Sequence, residues 1–130
     1  MARILIVDDN LTARGILRRI IESCDGWTVC GEAAGGIDAV QQAARIVPDI
    51  IVLDFQMPVM NGIRTARELA KVTPKIPVLL CSAYLSSGLV SEAMRAGIRG
   101  TVSKLEGTAI VDGIAALLRN ERFYGSAEAD

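Results

Sequence analysis

Asp8 and Asp9 stand side by side directly after the apolar run Ile4 to Val7, and a third carboxylate, Asp54, follows the run Ile50 to Leu53. Two further runs of the same kind end in Ser82 and Lys104. All four runs are short, rich in β-branched residues and bounded by polar or turn-forming positions, which is how buried strands read. In an open parallel sheet the ligand crevice lies outside the carboxyl ends of the strands, where the winding reverses. Three carboxylates gathered there cannot all remain ionised alone, because like charges raise one another's pKa. A hard divalent ion removes the conflict, and Mg²⁺ is typically held by one or two carboxylates, several waters and a phosphate oxygen. Acids facing an ammonium and a hydroxyl therefore suggest magnesium-assisted phosphoryl chemistry. A single such Asp would more often be a helix N-cap; the joint occurrence of five polar groups carries the inference. The chain has no histidine, so the commonest general base and the commonest transition-metal ligand are missing. Any metal is expected to be a hard one bound through oxygen.

The elements that would position these groups alternate five times between strand and helix patterns. Strands are predicted at Ile4 to Val7, Thr28 to Glu32, Ile50 to Leu53, Val78 to Ser82 and Gly100 to Ser103. A first helix follows Asn10 or Thr12 as N-cap, with Ala13, Ile16, Leu17, Ile20, Ile21 and Cys24 at helical spacing on its buried face. Ile37, Val40, Ala44 and Val47 mark the second, and Ile63, Ala66, Leu69 and Ala70 the third; later helices span Leu89 to Ala96 and Ile110 to Arg119. Nearly continuous apolar strands alternating with helices imply a doubly wound α/β fold, a parallel sheet of five strands covered on both faces.

Bulk properties exclude other classes. At 130 residues, with 51% hydrophobic and 22% charged residues, the chain makes one globular domain, too apolar for disorder and too interrupted by charge for a membrane span. Its net charge is −1 with scattered basic residues, so direct nucleic-acid binding is not expected. "MARILIVDD" meets acids before a signal peptide could develop, which predicts a cytoplasmic protein without membrane association. Cys24, Cys30 and Cys81 lack CxxC spacing and read as reduced, packed thiols. "AAGG" at 33–36 is a loop, since it lacks the rest of a phosphate-binding motif.

The segments "ILIVDDN", "PDIIVLDFQMPVMNG", "VLLCSAY" and "AGIRGTVSK" resemble the response regulator receiver domain of two-component signalling, in the same order and at similar spacing, from Arg3 to about Tyr124. The resemblance implies a flavodoxin-like (βα)5 fold with strand order 2-1-3-4-5, a receiver over 1–124 and a polar tail over 125–130. It implies that Asp54 takes a phosphoryl group from a phosphohistidine on a histidine kinase or histidine phosphotransfer protein, giving a 4-aspartylphosphate. Mg²⁺ would be held directly by Asp9, Asp54 and the backbone carbonyl of Gln56, with Asp8 acting through water, while Lys104 and Ser82 would meet phosphoryl oxygens. The implied protein is a self-phosphorylated acceptor with slow autodephosphorylation, not a turnover enzyme. Its output surface would be the face of helix 4, strand 5 and helix 5, toward an output domain or protein, with homodimerisation left open. The ending "AALLRNERFYGS" resembles receivers that precede a helix-turn-helix DNA-binding domain, which makes the control half of a transcription factor one reading and a standalone receiver the other.

Three positions depart from or tune that pattern. Thr101 stands where receivers commonly carry a switch aromatic on strand five, so a ring swing is unavailable. Leu105 replaces the frequent Pro after the Lys, and a trans bond is expected there. Tyr84 and Gln56 flank the entrance in the family geometry and would set how long the phosphoryl group lasts. Two rivals are a magnesium-dependent phosphohydrolase with the same aspartyl nucleophile and a degenerate receiver acting only as a binding module. The hydrolases resembling the haloacid dehalogenase group need an acid two residues after the nucleophile, and Gln56 holds that place without an acidic proton to give. The complete set of Asp8, Asp9, Asp54, Ser82 and Lys104 argues against degeneracy.

Overall fold

A computed structural model of the chain describes residues 1–125. The element order is β1 (Ala2–Val7), α1 (Leu11–Glu22), β2 (Trp27–Ala33), α2 (Gly36–Ile46), β3 (Ile50–Asp54), α3 (Gly62–Val72), β4 (Val78–Ser82), α4 (Ser87–Arg95), β5 (Gly100–Ser103), α5 (Gly107–Leu118) and β6 (Phe123–Tyr124). All five predicted strands form, two of them at the predicted bounds.

Side chains alternate across the central strands, and each face acquires its own core. Ile4, Ile6, Ile50, Val52, Leu79 and Val102 face α1 and α5. Leu5, Val7, Ile51, Leu53 and Leu80 face α2, α3 and α4. β1, β3 and β4 are therefore apolar on both sides, as strands sandwiched between helices must be.

The sheet departs from expectation at one edge. It has six strands in the order β2-β1-β3-β4-β5-β6, rather than five, and β6 pairs parallel to β5 through Gly100↔Phe123 and Thr101↔Tyr124. Asn120 turns the chain out of α5 with a φ of 64°. Phe123 N–H then donates to Arg99 O (3.0 Å) and Gly125 N–H to Thr101 O (2.7 Å). The approach is close enough that a Cβ on Gly100 would lie 2.7 Å from Phe123 O. Residue 125, assigned to the polar tail from sequence, is thus tied to the sheet; the remainder of that tail lies outside the described residues. Phe123 and Tyr124 are strand residues, and the Tyr124 hydroxyl donates to Ile98 O (2.8 Å).

Two helix faces also differ from the predicted ones. In α2 the buried residues are Gly36, Ala39 and Ala43, whereas Ile37 and Val47 are exposed. The small side chains win because α2 begins hard against α3: a Cβ on Gly36 would run into Thr65 Oγ1 and the Met60 side chain. In α1 only Leu17 and Ile21 are buried, and Ile16 faces outward.

Candidate functional site

Each polar group at the predicted strand ends is placed by its element. β1 ends at Val7, so Asp8 and Asp9 occupy the turn into α1, and Asn10 caps that helix by accepting from Ala13 N–H (2.8 Å). Asp54 is the last residue of β3 and pairs in register with Cys81 of β4. Lys104 follows β5 directly, its backbone N–H donating to Ser82 O (2.9 Å). On the far side Asn61 caps α3 through Arg64 N–H (2.9 Å). Gly62 lies so close to β3 that a Cβ there would come within 2.5 Å of Asp54 O, so glycine lets α3 begin against the strand that carries the carboxylate.

These elements converge on one cleft of about 830 Å³, lined by Asp8, Asp9, Asn10, Asp54, Gln56 and Lys104 among others. Asp8, Asp9 and Asp54 each bring a carboxylate oxygen within 4.8 Å of the others. Lys104 Nζ lies 2.8 Å from Asp8 Oδ2 and 2.9 Å from Asp54 Oδ1. Asp8 is fully buried and Asp54 nearly so, while Asp9 is exposed. The other Asp8 oxygen accepts from Asn10 N–H (2.9 Å). Three hard oxygen donors at this spacing, with an open mouth beside the exposed acid, fit a six-coordinate ion that keeps part of its water.

The electrostatics follow from crowding. Burial, with the Asp8 and Asp9 charges added, pushes the Asp54 carboxyl above its ordinary pKa, and the Lys104 hydrogen bond only partly opposes this. For Lys104, burial works to lower the pKa, yet the hydrogen bonds and charges of Asp8 and Asp54 together raise it. The ammonium is therefore secure, whereas the three ionised acids beside one ammonium lack two positive charges for full balance, which a divalent ion would supply. Cys81, beneath the site in β4, is fully buried, and its thiol is pushed up to about 12 by burial, which makes it inert.

Ser82 and Tyr84 lie apart from this group. They line a neighbouring cleft of about 340 Å³, which Gln56 shares. The Ser82 hydroxyl donates to Tyr84 O (2.8 Å) and accepts from Tyr84 N–H (3.3 Å), closing a local turn. Tyr84 is 55% exposed. Thr101 is fully buried on β5, and its hydroxyl has no hydrogen-bond partner among the described residues. The Lys104–Leu105 bond is trans.

Sequence reading missed one set of contacts. Arg14 on α1 donates through Nη1 to Asp8 O (2.7 Å) and through Nε to Glu32 Oε1 (3.0 Å). Glu32 also accepts from Arg18 Nε (2.9 Å) and Nη2 (2.7 Å). These pairs are 14 and 18 positions apart, between a helix and a strand, so no local spacing rule marks them.

Among the described residues no helix is long and apolar enough to cross a membrane. The model of the family described as the response regulator receiver domain matches residues 4–115. The chain is 39% identical over 102 residues to chemotaxis protein CheY of Thermotoga maritima, covering 78% of this chain and 84% of that protein. It is 31% identical to response regulator UvrY of Escherichia coli, covering 97% of this chain and 58% of UvrY. Among solved structures, a LuxR-family two-component response regulator from Aurantimonas superposes with a TM-score of 0.92 at 31% identity, over 95% of this chain and 89% of that one. A fold with the β2-β1-β3-β4-β5 core, a cleft of acids and a lysine at its carboxyl ends, and these matches give one conclusion: the chain belongs to the response regulator receiver domain family.

Proposed function

We propose that Asp54 is the phosphoryl acceptor of a two-component phosphorelay, charged from a phosphohistidine on a partner histidine kinase or phosphotransfer protein. The observation that carries this reading is Lys104 Nζ bridging Asp8 and Asp54 at 2.8 and 2.9 Å, in a cleft where Asp9 completes the acidic cluster. Mg²⁺ held by Asp8, Asp9, Asp54 and the Gln56 carbonyl would neutralise the acids and the incoming oxygens. Asp54 Oδ attacks phosphorus in line, the phosphorus–nitrogen bond breaks, and the histidine nitrogen leaves with the bonding electrons. Lys104 meets one of the phosphoryl oxygens, and Ser82 turns from Tyr84 O to another. Such transfer depends on positioning and charge neutralisation rather than on a general base, which suits a site without histidine.

The residue between acceptor and solvent matters for the product's lifetime. Gln56, two positions after Asp54, has no acidic proton, so the acyl phosphate is lost slowly by hydrolysis rather than turned over. Tyr84 and Gln56, which share the neighbouring cleft, set that rate by obstructing water. The switch surface is the face of α4, β5 and α5, reached through Ser82 and the segment 83–87. The receiver unit comprises residues 1–124, and the protein acts in the cytoplasm.

Incubation with acetyl phosphate and Mg²⁺ should give one hydroxylamine-sensitive phosphoryl group per chain, and Asp54→Asn should remove it. Full labelling of Asp54→Asn would overturn the assignment. Rapid repeated turnover of p-nitrophenyl phosphate would instead favour a hydrolase.

A further inference from the structure

We infer that Arg14 is a positioning residue for the magnesium-binding acids and that Glu32 and Arg18 hold it in that role; this rests on the metal reading above. The carboxylate of Asp8 is fixed by two donors, Asn10 N–H and Lys104. No comparable hydrogen bond among the described residues holds the carboxylate of Asp9, so its place is set by its backbone alone. The peptide unit that joins Asp8 to Asp9 is planar, and the orientation of the Asp8 carbonyl therefore fixes the direction in which Asp9 leaves β1. That carbonyl accepts from Arg14 Nη1 at 2.7 Å.

The guanidinium is itself immobilised. Its side chain is 15% exposed, and Nε donates to Glu32 Oε1 at 3.0 Å. Glu32 Oε2 is gripped by Arg18 through two nitrogens, and the Glu32 backbone oxygen accepts from Gln42 Nε2 at 2.7 Å. Arg18 also lies 3.5 Å from Glu22. Two guanidinium groups thus face two carboxylates, and the brace adds no net charge beside a site that must attract a cation. A planar fork can hold a carbonyl and a carboxylate at once, which an ammonium cannot do in one geometry.

Outer groups that orient metal ligands typically change metal affinity by about 10- to 100-fold when removed. Titration of the whole chain with MgCl₂ by calorimetry, without any phosphoryl donor, should show Arg14→Ala binding Mg²⁺ about tenfold more weakly or worse. Arg14→Lys should recover little of this, and Glu32→Gln, which keeps an acceptor for Nε, should fall between. Arg18→Ala, which touches only the two glutamates, should weaken binding less than about threefold. Ile21→Val, a conservative change in the core of the same helix, should lower the melting temperature and leave Mg²⁺ affinity unchanged, separating positioning from stability. Arg14→Ala binding within about twofold of the parent, or Ile21→Val losing as much affinity as Arg14→Ala, would overturn the inference. Asp9→Asn and Asp54→Asn distinguish the deeper failure: if they too bind Mg²⁺ like the parent, the metal reading itself is wrong.

Discussion

On the β1–α1 side of the cleft, Asp8 accepts hydrogen bonds at both carboxylate oxygens and at its carbonyl, and the helix that follows is capped by Asn10. On the β4–β5 side, Ser82 closes a turn upon its own loop, and the Thr101 hydroxyl is buried without a partner among the described residues. On the first side Asp8 and Asn10 already have their partners, and only the exposed Asp9 carboxylate has none among the described residues. The second holds polar groups whose bonding can be rearranged at small cost, and a two-state element needs that property. On the proposed function, binding and response would therefore draw on two different groups of residues, one lining the acidic cleft and one beside it.

The largest test of this contrast is the lysine that spans it. In Mg²⁺-free solution Lys104→Met should cost on the order of 3 kcal/mol in urea unfolding, since it leaves Asp8 and Asp54 buried without a counter-charge. Added Mg²⁺ should restore most of the loss. Ser82→Ala, which removes only a local turn contact, should cost about 1 kcal/mol. Equal losses from the two changes would erase the distinction between the two sides.

Asp54→Asn should act in the opposite direction. The folded-state pKa of Asp54 is raised, chiefly by burial, so the folded protein holds its proton more tightly than the unfolded chain does. Stability therefore falls as pH rises from the unfolded pKa through the folded one, and the cost of the charge is complete above that window. At pH 7 without Mg²⁺, Asp54→Asn should be more stable than the parent. The advantage should shrink as pH falls through the folded pKa and vanish below the unfolded value, which parallel urea titrations would follow.

A matched pair probes the two sides directly. Asn10→Ala removes a satisfied cap and should destabilise by about 1 kcal/mol. Thr101→Val replaces an unpartnered hydroxyl by a methyl of the same shape and should be neutral or stabilising by about 1 kcal/mol. A large loss for Thr101→Val would show that its hydroxyl is bonded after all. The smallest effect belongs to Val59, 91% exposed beside the site with a φ of 69°. A β-branched residue is strained there, and Val59→Gly should raise stability by about 0.5 kcal/mol, read as a higher melting temperature.

Composition and period sufficed to locate β1 to β5, because those runs are short, apolar and punctuated by the acids and turns that end them. The strand-end rule then located the acids and Lys104. Helix faces were harder to read. Ile37 outweighs Gly36 in any hydrophobic count, yet position 36 is the one held against Thr65 and Met60, where even a Cβ would not fit; Val40 packs partly buried against the core, while Ile37 is exposed. Two adjacent rows in α2 satisfied the helical period, and contact distance chose between them. β6 was illegible because two residues carry no period; its pairing depends on Gly100, twenty-three positions earlier. Arg14 was overlooked for a related reason, as its partners are a backbone oxygen and a glutamate on another element.

The short sixth strand also protects its neighbour. β5 has only four residues, and without Phe123 and Gly125 the carbonyls of Arg99 and Thr101 would form a bare rail on the outer margin of the sheet. Such a rail is a template on which copies of a protein can stack. A shortened version of the chain ending at Arg122 should be more prone to self-association than one that retains Gly125.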